Sequence, residues 1–128
     1  MGIVGDDPDL ASHPDLADEI DLYFTEEQED IRAMVREFAE AEIAPLVEDA
    51  EKAEKFPVEI MPKLGELGLL GIVFPEEYGG NGFGFLESVI VAEQLAMVSG
   101  SSRLPLNMQN IGPAITVNKF GTREQKER

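Results

Sequence analysis

The stretch "FTEEQEDIRAMVREFAEAEIAPLVEDAEK", Phe24 to Lys52, contains the strongest helix signal in the chain. Thr25 is followed three residues later by Gln28, the spacing of a capping box in which each side chain binds the other residue's backbone N–H. Glutamates fill the first turn, where the helix dipole favours acids. The apolar face is predicted to comprise Ile31, Met34, Val35, Phe38, then Ala41 or Glu42, and Leu46. The stretch therefore predicts an amphipathic helix that begins at Thr25.

Pro45 interrupts this pattern. Proline has no backbone N–H and collides with the preceding turn of a helix, so a kink or break is predicted there. The residues from Leu46 to Lys52 are expected to continue the helix loosely.

Two more helices are predicted in the middle of the chain. In "FPVEIMPKLGELGLLG", Phe56 to Gly71, Pro57 suits the first turn of a helix and Gly68 suits the position just past its end. The following "LLGIVF" predicts a short extended segment. The third helix, about Gly84 to Val98, is apolar on most faces and is expected to lie in the interior.

The fourth helix is predicted to begin at Ser101 or Ser102 and to run to about Lys119, with Gly121 ending it. Thr122 and Gln125 then form a second capping box, which predicts one more helix. The elements together indicate an all-α fold.

The charge is strongly acidic, with a formal net charge of −16. Seven acids and no base lie in the first 24 residues, so residues 1–22 are predicted to form an acidic flexible tail and residues 23–128 a helical domain. This charge repels phosphate backbones and argues against nucleic-acid binding. No apolar run approaches a membrane span, no secretory signal is recognisable, and the absence of cysteine is compatible with a reducing compartment.

Chemistry-bearing residues are few. His13 is the only histidine and lies in the tail without organised co-ligands, so no metal site is predicted. There is no Ser/His/Asp set, and the acidic pairs at Glu26–Glu27 and Glu76–Glu77 are expected to be solvated. The sequence predicts no catalytic residue in this chain.

The glycine-rich stretch "FPEEYGGNGFGF", Phe74 to Phe85, does not match a nucleotide-binding loop. Gly80, Gly82 and Gly84 place the third glycine one residue early for the dinucleotide-binding spacing, and no Gly-Lys-Ser/Thr ending is present. We interpret it as a turn that uses positive φ angles.

Four segments resemble, in the same order, the N-terminal helical domain of acyl-CoA dehydrogenases. They are "FTEEQEDIRAMVREFAEAEIAP", "FPVEIMPKLGELGLLGIVFPEEYGGNG", "AEQLAMVSGSS" and "FGTREQKER". The resemblance runs from about Tyr23 to Arg128. It implies an all-α, bundle-like domain that is truncated here before the β domain, and enzymes that use FAD to oxidise the Cα–Cβ bond of an acyl-CoA thioester.

The same resemblance implies further expectations. FAD is expected to be bound mostly by domains absent from this chain, and its contacts here are unknown. Electron-transfer flavoprotein is the expected electron acceptor, the assembly is expected to be a homotetramer, and the compartment to be the cytoplasm, or the mitochondrial matrix in a eukaryote. The chain alone is expected to be inactive, as a fragment or as a subunit. The alternative is a non-catalytic helical subunit or binding module of a split complex.

The segment "RLPLNMQNIG", Arg103 to Gly112, is similar to the wall of the acyl pocket in that family, and its arginine resembles the glutaryl-CoA dehydrogenases. Arg103, Asn107 and Ile111 are spaced to share one helical face. By this resemblance Arg103 would grip the far carboxylate of a dicarboxylyl-CoA, which a guanidinium matches bidentately. Asn107, Ile111 and Leu104 complete the expected substrate contacts. The alternative is that Arg103 caps the third helix or pairs with Glu87 or Glu93.

Overall fold

The structure, a computed structural model, describes residues 24–128 and is helical without a strand in that range. This confirms the predicted all-α fold. The helices are α1 Glu26–Phe38, α2 Ala44–Ala53, α3 Ile60–Glu66, α4 Phe85–Val98, α5 Arg103–Asn110, α6 Pro113–Phe120 and α7 Arg123–Glu127. The predicted tail and His13 lie outside the described residues.

Helix α1 begins as its sequence predicts. The backbone N–H of Gln28 donates to Thr25 Oγ1 at 3.2 Å, and the N–H of Thr25 donates to Gln28 Oε1 at 3.0 Å. These two bonds satisfy donors that the first turn of a helix would otherwise leave open. The second predicted box, between Thr122 and Gln125, starts α7 in the same way.

The predicted irregularity near Pro45 is a π-helical turn, Ala39–Ile43, which joins α1 to α2. The N–H of Ala44 donates to the carbonyl of Ala39, one residue further back than in an α-helix. Since the wider turn takes up one extra residue, Val35, Ala39 and Ile43 all remain buried at a constant spacing of four. The predicted continuation of the apolar face at Ala41 or Glu42 is wrong, because both are exposed.

The segment after α2 differs from its prediction at two points. Pro57 precedes the helix, which starts at Ile60 after a turn closed by the bond from Ile60 N–H to the Pro57 carbonyl. The expected extended segment is instead a 3₁₀-helix, Leu69–Gly71, followed by turns. Gly68 follows the end of α3 with a φ of 73°, which confirms its predicted place.

The predicted fourth helix is in fact two helices, because α5 ends at Asn110 and α6 starts at Pro113. A residue before proline is disfavoured in the helical conformation, and Gly112 has a ψ of −123°. Ser102 occupies the N-cap of α5 but its hydroxyl accepts no capping bond. The physical reason is Pro105, which stands three residues on and has no N–H to donate.

The core lies where α1 and its π turn cross α4, and where α4 packs on α5. The 3₁₀-helix Leu69–Gly71 packs against both α5 and α3, and these contacts complete the core. Its fully buried side chains include Val35, Ile43, Leu64, Val91, Leu95 and Leu106. Truncation of a leucine in such a core to alanine costs about 2–5 kcal/mol.

Helix α4 is only half in the interior, so the prediction for it is partly wrong. Val91 and Leu95 are buried on one side. The other side, which we call the outer face of α4, carries the exposed side chains of Phe85, Leu86, Val89 and Met97. Phe85 is 57% exposed. The fold therefore displays apolar side chains on a helix whose sequence looks like a core helix.

Candidate functional site

The four residues that the sequence singles out lie on α5 or directly after it, and we call them the α5 strip: Arg103, Leu104, Asn107 and Ile111. Leu104 is 58% exposed and Ile111 is 46% exposed. Ile111 is the C-cap residue with a φ of −118°, so it leaves the helical path. The structure thus keeps three of the four on one helix and places the fourth at its end.

Arg103 is exposed at the start of α5. Within residues 24–128 its guanidinium forms neither a hydrogen bond nor an ion pair. Glu87, one of the two expected alternative partners, accepts instead from Gln28 Nε2 at 2.6 Å and from the Gly84 N–H at 2.9 Å. The guanidinium is therefore available for a carboxylate from outside the described residues.

Asn107 is partly buried, and its Oδ1 atom is shielded from solvent with no donor among the described residues. A buried acceptor without a partner costs about 1–3 kcal/mol. This oxygen is therefore an unsatisfied acceptor among the described residues, and a donor from other protein or a ligand could reach it only after the side chain turns.

Both helices that pack on each other here expose apolar side chains. Helix α5 packs on α4 and also exposes Met108, while α4 exposes its outer face. Exposed apolar side chains in number commonly mark interaction sites. The exposed residues of α4 and α5 have the composition of surfaces that pack against other protein or an apolar ligand.

The glycine-rich loop does not offer backbone donors to a phosphate. The N–H groups of Gly79, Gly80 and Gly82 donate to the carbonyls of Glu76, Pro75 and Phe74. Those of residues 81, 83 and 84 are likewise bonded within the chain. Phosphate-binding loops need such groups free to face the ligand. The structure confirms the interpretation as a turn, and the loop does not fit the pyrophosphate of a dinucleotide cofactor.

Within residues 24–128, Glu87 is the one carboxyl with a displaced pKa, and the direction of that displacement does not favour a role as a catalytic base. The hydrogen bond from Gln28 and the local backbone donors lower the pKa of Glu87, against a smaller opposing effect of burial. A lowered pKa makes a carboxylate a weaker base. No cluster of three or more His, Cys, Asp or Glu side chains that could hold a metal occurs in residues 24–128.

Apart from the α5 strip, the structure has a cleft of about 450 Å³, which we call the glycine cleft. One wall is built from the turns around α3 and the glycine-rich loop, including Gly65, Gly68 and Gly79. The other wall is built from α6 and α7, with Val117 and Lys126. Sequence reasoning missed this cleft, because its two walls are about 50 residues apart in the chain.

Sequence reasoning also missed Asn110, which is fully buried. Its Nδ2 donates to the Leu69 carbonyl and its Oδ1 accepts from the Ile72 N–H, both at 2.9 Å. The available signal was its place four residues after Leu106, on the buried side of α5. Asn110 fixes the loop that leads into the glycine cleft.

Comparison with known proteins gives one matching family. Residues 25–128 match the family model described as "Acyl-CoA dehydrogenase, N-terminal domain". In the part of the chain that is described, no helix has the length and apolarity to cross a membrane.

Several curated proteins are similar over most of this chain. The short-chain specific acyl-CoA dehydrogenase of Clostridium acetobutylicum is 40% identical over 109 residues, 85% of this chain and 29% of that protein. The acryloyl-CoA reductase (NADH) of Anaerotignum propionicum is 39% identical, over 84% and 27%. The glutaryl-CoA dehydrogenase of Desulfococcus multivorans is 35% identical, over 85% and 29%.

A chain in the solved structure of the electron transferring flavoprotein of Acidaminococcus fermentans has the same fold. Its TM-score is 0.77 at 39% identity, over 81% of this chain and 27% of that one. The chain therefore spans less than a third of the relatives that it matches.

Proposed function

Because the chain belongs to the acyl-CoA dehydrogenase family through its N-terminal domain, we propose that residues 23–128 are the helical domain of an enzyme that oxidises the Cα–Cβ bond of an acyl-CoA thioester. The single observation that carries this proposal is the exposure of apolar side chains on both the outer face of α4 and the α5 strip. In this proposal the domain supplies one wall of the acyl pocket, and further protein covers these side chains.

The substrate that we propose is glutaryl-CoA or another dicarboxylyl-CoA. Arg103 is the only cation of the α5 strip and has no acidic partner among the described residues. Once covered, a guanidinium on an apolar wall favours a chain that ends in a carboxylate over one that ends in a methyl group. A short-chain specific acyl-CoA dehydrogenase and a glutaryl-CoA dehydrogenase are similar to this chain at comparable identity, 40% and 35%.

Asn107, Leu104 and Ile111 complete the proposed acyl wall. The unpartnered Oδ1 of Asn107 lies on the same helix as Arg103 and would accept a hydrogen bond from the complete site. Leu104 and Ile111 would contact the methylene groups of the acyl chain, where each buried CH₂ contributes about 0.8 kcal/mol.

We propose FAD as the cofactor, held by protein outside the described residues, since the glycine-rich loop does not fit its pyrophosphate. The catalytic base is likewise proposed to lie outside them. We propose electron-transfer flavoprotein as the acceptor, a homotetramer as the assembly, and the cytoplasm, or the mitochondrial matrix in a eukaryote, as the compartment.

A second candidate is a non-catalytic helical subunit of a split complex. The observation that favours it is the closed core, in which Leu64, Leu95 and Leu106 are fully buried by residues of this chain. The intact mass of the native polypeptide distinguishes the two candidates, because the first requires a polypeptide much longer than 128 residues.

The direct test uses the native polypeptide, or the native complex, that contains this chain. It is supplied with FAD, butyryl-CoA or glutaryl-CoA, and an artificial electron acceptor, and the products are analysed by mass spectrometry. We expect a product that has lost two hydrogen atoms. If neither thioester is oxidised although flavin is bound, the proposed activity is wrong.

A further inference from the structure

The glycine cleft has the composition of a ligand site that is separate from the α5 strip. Gln109 lines the cleft, whereas Leu104 of the strip lies on the opposite side of α5 at 3.6 residues per turn. A volume of about 450 Å³ falls within the usual range of small-molecule pockets. The cleft therefore needs an explanation of its own.

Several polar side chains reach the cleft with unused hydrogen-bonding capacity. Tyr78, Asn118 and Lys126 are partly buried and line it. Among the described residues, none of these side chains has a hydrogen-bond partner. A phenol, a carboxamide and an ammonium group together supply donors to an oxygen-rich ligand.

The charge of the cleft is opposite to that of the chain. The chain has 26 acids and 10 bases, yet no Asp or Glu lines the cleft, and Lys126 does. In so acidic a protein, a concave site with a lysine and without a carboxylate favours an anion over a neutral or cationic ligand.

The cleft also has apolar and aromatic lining. Leu70 and Phe74 lie in the same wall as the glycines, and Val117 lies in the other wall. A methyl group at Gly65 would touch only Leu70 Cδ1, at 3.8 Å, and one at Gly79 would meet nothing within 4 Å. Aromatic ligands gain from stacking or edge contacts with rings such as Phe74 and Tyr78.

From these contacts we propose that the glycine cleft binds a small, flat aromatic anion with one or two fused rings and a carboxylate or phosphate group. The anionic group lies at Lys126 and Asn118, and the ring lies between Phe74 in one wall and Val117 in the other. This proposal does not depend on the proposed dehydrogenase activity, because no residue of the α5 strip takes part.

The test uses the full 128-residue chain, labelled with ¹⁵N, and 2-naphthoate as the probe. Amide chemical shifts are followed by NMR as the probe is titrated, and 2-naphthamide serves as the matched neutral probe. We expect saturable one-to-one binding with shifts at Gly65, Gly79, Val117 and Lys126. The amide probe should bind about tenfold more weakly, which corresponds to one charge-assisted hydrogen bond.

Two variants localise the site. Gly65→Phe fills the cleft with a ring at a position with room for a side chain and should abolish binding, while Lys126→Gln should weaken 2-naphthoate about tenfold and leave 2-naphthamide unchanged. Phe85→Ser, on the outer face of α4, is the control and should bind 2-naphthoate as the unchanged chain does. Circular dichroism confirms that each variant is folded.

Three results would overturn the proposal. The first is an absence of saturable binding by the unchanged chain. The second is equal affinity for the two probes. The third is a set of chemical-shift changes centred on Phe85 and Leu104 that disappears in Phe85→Ser and persists in folded Lys126→Gln. That result would place the probe on the exposed apolar residues of α4 and α5.

Discussion

The side-chain amide of Asn110 bridges Leu69 and Ile72: it donates to the carbonyl of the first and accepts from the N–H of the second, each at 2.9 Å. The amide is fully buried and joins α5 to a loop about 40 residues earlier in the chain. Two backbone groups that would otherwise be buried without partners are satisfied by one side chain.

Replacement of this amide should be strongly destabilising. We expect Asn110→Leu to lower the free energy of unfolding by about 2–4 kcal/mol, because it leaves both backbone groups unpaired. Urea unfolding followed by circular dichroism measures the loss. Gln109→Ala, on the adjacent exposed residue, is the control and should change stability by about 0.5 kcal/mol or less. A loss of the same small size in Asn110→Leu would show that the bridge contributes nothing.

Stability should also depend on the ionisation of Glu87. Its pKa is lowered in the folded state by Gln28 and backbone donors, so the contribution is complete above the unfolded pKa, near 4.3. It is lost as the pH falls through the lower folded value. We expect Glu87→Gln to remove part of the slope of stability against pH below about pH 5. Glu93→Gln, on the exposed side of the same helix, is the control, and equal slopes in the two variants would contradict the assignment.

Replacement of Glu54 by glycine should increase the stability of the chain. It ends α2 with a φ of 51° and is the non-glycine residue with a positive φ among the described residues. Since the left-handed conformation costs an L-residue about 1–2 kcal/mol, Glu54→Gly is expected to stabilise the chain by about 0.5–1 kcal/mol. Thermal unfolding of Glu54→Gly and Glu54→Ala tests this prediction, because alanine has the same difficulty as glutamate in adopting a positive φ. If the glycine variant is no more stable than the alanine variant, the prediction is wrong.

The turn at Gly80 should tolerate no side chain. A Cβ atom there would lie 2.1 Å from the Phe74 carbonyl oxygen, which is a backbone atom and cannot move aside alone. Gly80→Ala should therefore cost about 3 kcal/mol or more, the upper end of overpacking effects. Gly100→Ala is the matched control, since nothing lies within 4 Å of its Cβ position. Chemical denaturation of both variants tests the difference, and similar stabilities would mean that the turn adapts.

Arg103 should govern substrate choice if the proposed function is right. In the native polypeptide that contains this chain, we expect Arg103→Gln to lower kcat/KM for glutaryl-CoA by about 30-fold or more relative to butyryl-CoA, as loss of a covered charge partner costs at least about 2 kcal/mol. Lys119→Gln removes another exposed cation and should affect both thioesters equally. Equal losses for both substrates in Arg103→Gln would end the dicarboxylate proposal while leaving the family assignment intact.

The sequence predicted correctly those helix ends that depend on contacts between residues close together in the chain. Both capping boxes, at Thr25 and Thr122, were readable because their bonds join residues three apart. The prediction of one helix up to Lys119 did not take account of Pro113, which restricts the backbone of Gly112 before it and separates α5 from α6. The prediction of an extended segment after Gly68 was wrong. Its run of apolar residues is typical of a strand, whereas the Asn110 side chain holds the backbone of this segment in a tight turn.

The two proposed sites were predictable only in part. The α5 strip followed from spacing along one helix and from family resemblance, and the structure shows that Leu104 and Ile111 are exposed while Asn107 is partly buried. The glycine cleft was not predictable, because Tyr78 and Lys126 meet only through the packing of α6 and α7. Apolar residues that repeat every 3.6 positions identify one face of a helix. They do not indicate which distant loop packs against that face.

The π turn at Ala39–Ile43 makes the length of this segment critical for the fold. Since the π turn already takes up one extra residue, a further residue inserted there would not be absorbed and would rotate every side chain of α2 by about 100° relative to α1. Leu46 and Val47 would then leave the core, which they now border. Substitutions can be accommodated at the solvent-facing positions Glu40 and Ala41, but a one-residue insertion there would turn the apolar side chains of α2 away from the core.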